Sequence, residues 1–249
     1  MGTFVLLLKK KHPKKAADWI RLAIIGAVQT ASVMGAIFLS LRTITAGESV
    51  ILTFTNPLLV VIFGTLLLGI RYRIVQWGGV LIGFLGVFIS MGSHVDLEVG
   101  TLLAFASAIS WAIGTLLIKK WGSLFDIWVL TAYQMLFGGL ILLAGSALLE
   151  NIRLVLNPTS VSILLWLSIP ASIIQFAIWF SLLQNGNPEK VSAFLFLAPL
   201  FGVLSGWLIL DEKIGWSLVF GGALIFSGIF LVNRPEKSPN QEAAVKILR

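Results

Sequence analysis

The side chains best able to engage a small molecule are polar or aromatic groups set inside long apolar runs: Gln29, Asn56, Ser110, Trp111, Gln134, Gln175 and Trp179. Their amide, hydroxyl and indole groups donate or accept hydrogen bonds without carrying a charge into an apolar medium. Trp111 and Trp179 add ring faces that stack on a ligand or attract a cation. The same groups can instead bond neighbouring helices and only hold a bundle together. Glu48 and Glu189 stand near the starts of two apolar runs, where a helix dipole stabilises a carboxylate. They are also the titratable groups nearest the apolar interior, which makes them the candidates for proton coupling. Covalent and metal chemistry find little support. The chain has no Cys, its two histidines, His12 and His94, fall in different loops, and no apolar run supplies a general base beside a serine. No enzymatic activity, metal or cofactor is therefore expected.

What must position these groups is a set of membrane-spanning helices. Hydrophobic residues make up 57% of the 249 positions and charged residues 12%, against roughly a quarter charged in a soluble domain. Apolar runs of the length that crosses a ~30 Å hydrocarbon core as helix recur near 19–41, 46–69, 74–91, 99–118, 127–149, 162–184, 190–210 and 215–233. The expected fold is thus an all-α integral membrane protein with about eight complete spans. The segments between them are short and hold nearly every charge. Of the 18 Lys and Arg, only Arg42, Arg153 and Lys213 fall on one side of such a bundle. The remainder share the other side with both termini, which the positive-inside rule makes cytoplasmic. The net charge of +7 is thereby explained by a membrane surface, and no nucleic-acid partner is expected. The tail over 234–249, with Pro235, Pro239 and mixed charge, reads as disordered.

Sliding the sequence on itself by 142 positions aligns Phe54 with Phe196, Pro57 with Pro199, Gly64 with Gly206, Gly79 with Gly221 and Gly86 with Gly228. That offset contains five spans, and an odd number inverts the second copy relative to the first, the arrangement of many transporters. The units are 1–91 and 92–233. Pro57 and Pro199, at matching places, interrupt helical hydrogen bonding and are candidate hinges. The second unit is complete from the span near 99. Its counterpart in the first would begin ahead of Met1, so the first unit is expected to lack its opening helix and most of its second. Met1 to Leu8 would be that helix's end, since eight residues rise only ~12 Å.

Leu103 to Lys120, LAFASAISWAIGTLLIKK, resembles the opening helix of a repeat in the drug/metabolite transporter superfamily, and in particular in the EamA-type permeases. The Pro-containing stretches LTFTNPLLVVIFGTLLLG at Leu52 to Gly69 and FLFLAPLFGVLSGWLILDEKI at Phe194 to Ile214 carry the same resemblance, and each precedes a Gly-rich closing helix. Asp211 and Glu212 match the acidic pair that often follows such a helix; Gly69, Ile70 and Arg71 do not. The resemblance implies ten helices in two five-helix repeats, a multi-pass permease of the cell membrane, and export more often than uptake. Within such a fold the substrate is expected near midplane between the repeats. No Asp, Glu, Lys, Arg or His is predicted there, so a neutral, zwitterionic or amphipathic metabolite or drug fits better than a multiply charged phosphate. The expected partners are the lipid bilayer, that small-molecule substrate and, for coupling, protons. The alternatives are a shortened transporter that is inactive alone or needs a partner chain, and a membrane enzyme or assembly subunit.

Overall fold

In lipid, a backbone must satisfy its own N–H and C=O groups, and helices do so within one segment. A computed structural model describes residues 12–44, 49, 52–90, 98–149, 157–198, 201 and 216–234, and among the described residues there are helices and no strands. In chain order they are α1 (Ala16–Ser40), α2 (Asn56–Leu68), α3 (Ile74–Ser90), α4 (Val99–Trp121), α5 (Ile127–Leu149), α6 (Pro158–Asn185), α7 (Pro188–Ala193) and α8 (Trp216–Asn233). Each overlaps one of the eight predicted spans, α7 only over 190–193. α1, α4, α5 and α6 are long and apolar enough to cross a membrane, while α2, α3 and α8 are shorter apolar helices. The chain is an all-α membrane protein. Pro199, Glu48 and the acidic pair Asp211 and Glu212 lie outside the described residues, as do Met1 to Leu8 and the tail beyond 234.

Local chemistry sets the helix ends. Asn157 caps α6 by accepting the Ser160 N–H at 2.7 Å, with Pro158 in the first turn, where a missing N–H costs nothing. Glu98 and Thr101 form a capping box on α4. Gly69, at φ 65, takes the left-handed conformation that ends α2. Pro57 also occupies a first turn. The chain tightens at Phe54 and Thr55 and α2 starts at Asn56, so the predicted 46–69 span is interrupted and Pro57 begins a helix instead of kinking one. After α7 the chain tightens similarly over Phe194–Phe196.

Two wide π-turns interrupt the long helices. One covers Gly26–Ser32 in α1 and the other Ile169–Ile174 in α6, almost 142 residues apart, as are the starts of α3 at Ile74 and α8 at Trp216. In α6 the cause is local: Pro170 has no N–H to give and its ring crowds the preceding turn, which widens to accept it.

Glycines set the closest approaches between helices, which matters where lipid supplies no hydrophobic drive for association. A Cβ on Gly79 of α3 would lie 2.8 Å from the Gly228 carbonyl of α8, and one on Gly86 would lie 2.6 Å from the Gly221 carbonyl. These contacts are reciprocal under the 142-residue offset, the pattern of a two-fold interface. At the crossing of α1 and α5, a Cβ on Gly26 would meet the Gln134 carbonyl at 2.5 Å, and one on Gly138 would meet the Gly26 carbonyl at 2.7 Å.

Candidate functional site

Between α1, α4, α6 and the α7 segment lies a cavity of about 730 Å³, lined by Gln29, Trp111, Pro170, Gln175, Trp179 and Phe194 among others, with no charged side chain on its wall. That volume suits a metabolite-sized ligand. The elements deliver these groups in specific ways. Gln29 comes from the π-turn of α1, and Gln175 follows directly on the π-turn of α6. Trp111 projects from α4 and meets Trp179 of α6 edge to face, with ring centroids 6.3 Å apart; Phe54 tilts against Trp111 at 6.1 Å. Trp111 and Trp179 form an aromatic wall of the cavity, and Phe54 meets Trp111 from outside the lining.

Three buried polar atoms on this wall have no partner within the protein: Gln29 Oε1, Trp111 Nε1 and Trp179 Nε1. Buried donors and acceptors are nearly always satisfied. One acceptor and two donors are therefore held without bonds beside the cavity. Gln29 is 1% exposed and presses on α4 at Gly114, where a Cβ would collide with its Oε1. A side chain at Gly114 would have to displace the Gln29 amide.

Of the seven residues predicted to face a substrate, Gln29, Trp111, Gln175 and Trp179 are brought together here, and Gln134, Asn56 and Ser110 are not. Gln134 lies in the crossing of α1 with α5, where its Oε1 accepts the Thr30 hydroxyl at 2.5 Å. Asn56 is fully buried at the start of α2 with neither amide atom partnered. One turn before it, Thr53 and Ser107 share a hydrogen bond of 3.0 Å between α4 and the residues leading into α2. Ser110 neighbours Trp111 in sequence, outside the cavity lining. Pro170 and Phe194 were not singled out from sequence. A proline in the middle of a predicted span was the available signal for the first.

A second polar cluster closes the Lys- and Arg-rich end of the bundle. Glu189, in the first turn of α7, is 4% exposed and is the only charged residue among the described buried polar groups. Gln76 of α3 donates to it from Nε2 at 3.3 Å, and Gln76 Oε1 accepts the Arg73 N–H at 2.9 Å. Lys119, at the end of α4, donates to the Gly186 carbonyl at 2.5 Å, and the Arg73 guanidinium donates to the Arg234 carbonyl at 2.9 Å. Burial pushes the Glu189 carboxyl above the usual carboxylate range, outweighing the opposite pull of its own backbone hydrogen bond, Lys190, Gln76 and Lys119. The Tyr72 phenol, in the connection between α2 and α3, is also raised, by burial first and then by the Glu189 charge. Gln76 was not anticipated, because only the folded chain brings it to Glu189.

The family profile described as the EamA-like transporter family matches residues 1–92 and 98–234. The chain belongs to the EamA-like transporter family. Among curated relatives of this EamA-like chain, Protein PecM of Dickeya dadantii is 28% identical over 232 residues, which is 92% of the chain and 78% of PecM. A WAT1-related chloroplast protein of Arabidopsis thaliana is 28% identical over 246 residues, covering 94% of the chain. The chain spans 59% of that plant protein's length. A crystal structure with 20% sequence identity superposes with a TM-score of 0.77, over 93% of this chain and 82% of that one, and so shares the fold of this EamA-like protein.

Proposed function

We propose that this chain is a multi-pass permease of the cell membrane that moves a small neutral, zwitterionic or amphipathic metabolite or drug by alternating access, in the direction of efflux, with both termini cytoplasmic. The observation that carries this reading is the uncharged cavity walled by Trp111 and Trp179 and edged by Gln29 and Gln175. A phosphate or other multiply charged group would leave its charge uncompensated there. An amphipathic solute stacks its apolar part on the indoles and exchanges hydrogen bonds with the polar atoms that lack partners. The family membership, the 142-residue offset between the π-turns and the reciprocal glycine contacts support two inverted halves that exchange roles.

The test is transport by everted membrane vesicles, using radiolabelled leucine and tryptophan as zwitterionic probes and ethidium as an amphipathic one. At least one probe accumulates above vesicles lacking the protein, and the double substitution Trp111→Ala with Trp179→Ala reduces its rate about tenfold or more, ~1.4 kcal/mol of barrier. Accumulation that is indifferent to both indoles would remove the cavity from the pathway.

One observation favours a second reading, in which another helix completes the cavity wall. The apolar window of α6 is 11% buried, and Ile174, Ile178 and Leu182 face the cavity from an exposed flank that no described residue covers. Transport that appears only when the chain is expressed with additional upstream sequence or a second chain would support that reading. Equal transport without them would contradict it.

A further inference from the structure

We propose that Glu189 is a proton-binding site whose occupancy latches the Lys- and Arg-rich end of the bundle shut: the protonated acid favours the closed arrangement, and its deprotonation favours opening. Its consequence for transport rests on the permease reading above; proton binding itself does not.

The geometry singles out this residue. Glu189 lies just ahead of the 190–210 span, on a short helix that packs on α2, α4, α6 and α8. Its Gln76 partner is on α3, so their hydrogen bond joins the two units that the repeat defines. Beside it the closure is completed by bonds to carbonyls, from Lys119 to Gly186 and from Arg73 to Arg234. Among the described residues Glu189 is the one buried carboxyl at this closure.

The groups facing the carboxyl decide what burial does to it. α2 is followed by Tyr72, whose phenol oxygen is buried without a partner. α4 brings Lys119, and Lys190 is adjacent on α7 itself. α6 has no charged residue over Gln175–Asn185, and α8 has none over Trp216–Asn233, ahead of Arg234. No cation is within salt-bridge distance of the carboxylate among the described residues; Lys119 is spent on a carbonyl. Desolvation is thus the largest influence, and it favours the neutral acid. When that end opens, water reaches the carboxyl and its affinity for protons falls toward that of an ordinary glutamate.

The sign follows from linkage. The closed form has the higher pKa, so protonation stabilises closure fully below the open form's pKa and that contribution is lost as pH rises through the closed-form value. The proton comes from and returns to water at the basic end. No other co-reactant is needed.

The chain's freedom from cysteine allows a direct test. Ser192 is fully buried one turn beyond Glu189, with an unpartnered hydroxyl, so Ser192→Cys is a conservative reporter of opening. Its reaction with a water-soluble maleimide is measured from about pH 4 to about pH 8 and divided by that of Lys120→Cys, an exposed site whose thiol ionises over the same range. The ratio rises about tenfold or more with pH as deprotonation releases the closed form. With Glu189→Gln added, the ratio becomes flat and stays at its low-pH level. With Gln76→Leu instead, the midpoint moves to higher pH, because a group that favours the carboxylate has been removed. A flat ratio in the otherwise unaltered protein, or a slope that survives Glu189→Gln, overturns the proposal. If the ratio titrates as stated while no probe is transported, the latch stands and the permease reading falls; transport with a flat ratio gives the reverse.

Discussion

α1 and α6 are long apolar helices with a π-turn at matching places, yet 39% of the apolar window of α1 is buried and only 11% of that of α6. The difference lies in what each meets. α1 is locked to α5 by the Gly26 and Gly138 crossing and by the bond between Thr30 and Gln134, and it is pressed against α4 through Gln29. α6 is held by its second half, where Phe176, Ala177, Phe180 and Leu183 are buried, while nothing from Pro158 to Ile174 is. Under the proposed alternating access, a helix anchored at one end with a proline-widened turn at the boundary is the element expected to move. The comparison therefore casts α1 as the fixed wall and α6 as the moving one.

The largest effect should come from breaking the fixed wall. Gly26→Leu drives a side chain into the Gln134 backbone and should cost about 3 kcal/mol, seen as loss of folded protein by thermal melting in detergent. The corresponding change on α6, Ser168→Leu, falls on an exposed position and should leave the melting temperature unchanged. Equal damage from the two would erase the distinction between the walls. Pro170→Ala sharpens the same contrast at the proposed pivot. It restores an N–H to the widened turn, and should slow transport about fivefold, ~1 kcal/mol of barrier, without lowering the melting temperature. A smaller effect is expected at Thr30→Val, which removes one interhelical bond and should cost about 0.6 kcal/mol. Ser172→Ala on α6 should cost less still, since that hydroxyl bonds only to the Leu167 carbonyl of its own helix.

Much of this was legible in the sequence, for physical reasons. Helix positions follow from runs long enough to cross lipid; the expectation of two units rests on Pro and Gly at one constant offset, residue types whose backbone roles are hard to replace. Trp111 and Trp179 could be picked out because indoles in mid-span are costly to leave without a use. Gln29 and Gln134 could not be told apart. Both are mid-span amides, and only the helix crossings decide that one meets the cavity while the other meets Thr30. Periodicity likewise could not foresee the break at Phe54 and Thr55, because a proline at the start of a helix and one in its middle look alike in an unbroken apolar run. The pairing of Gln76 with Glu189 joins residues 113 apart in sequence. Neither carries a motif that announces the other.

The most direct test of a moving α6 around a solute cavity is access to Gln175→Cys in this cysteine-free chain. Sealed vesicles of right-side-out and everted orientation would be treated with a membrane-impermeant maleimide, with Ile163→Cys on the exposed face of α6 as the comparison. Alternating access predicts that Gln175→Cys is labelled from either face of the membrane while Ile163→Cys is labelled from neither at a comparable rate. Labelling of Gln175→Cys from one face only, or from none, would contradict it.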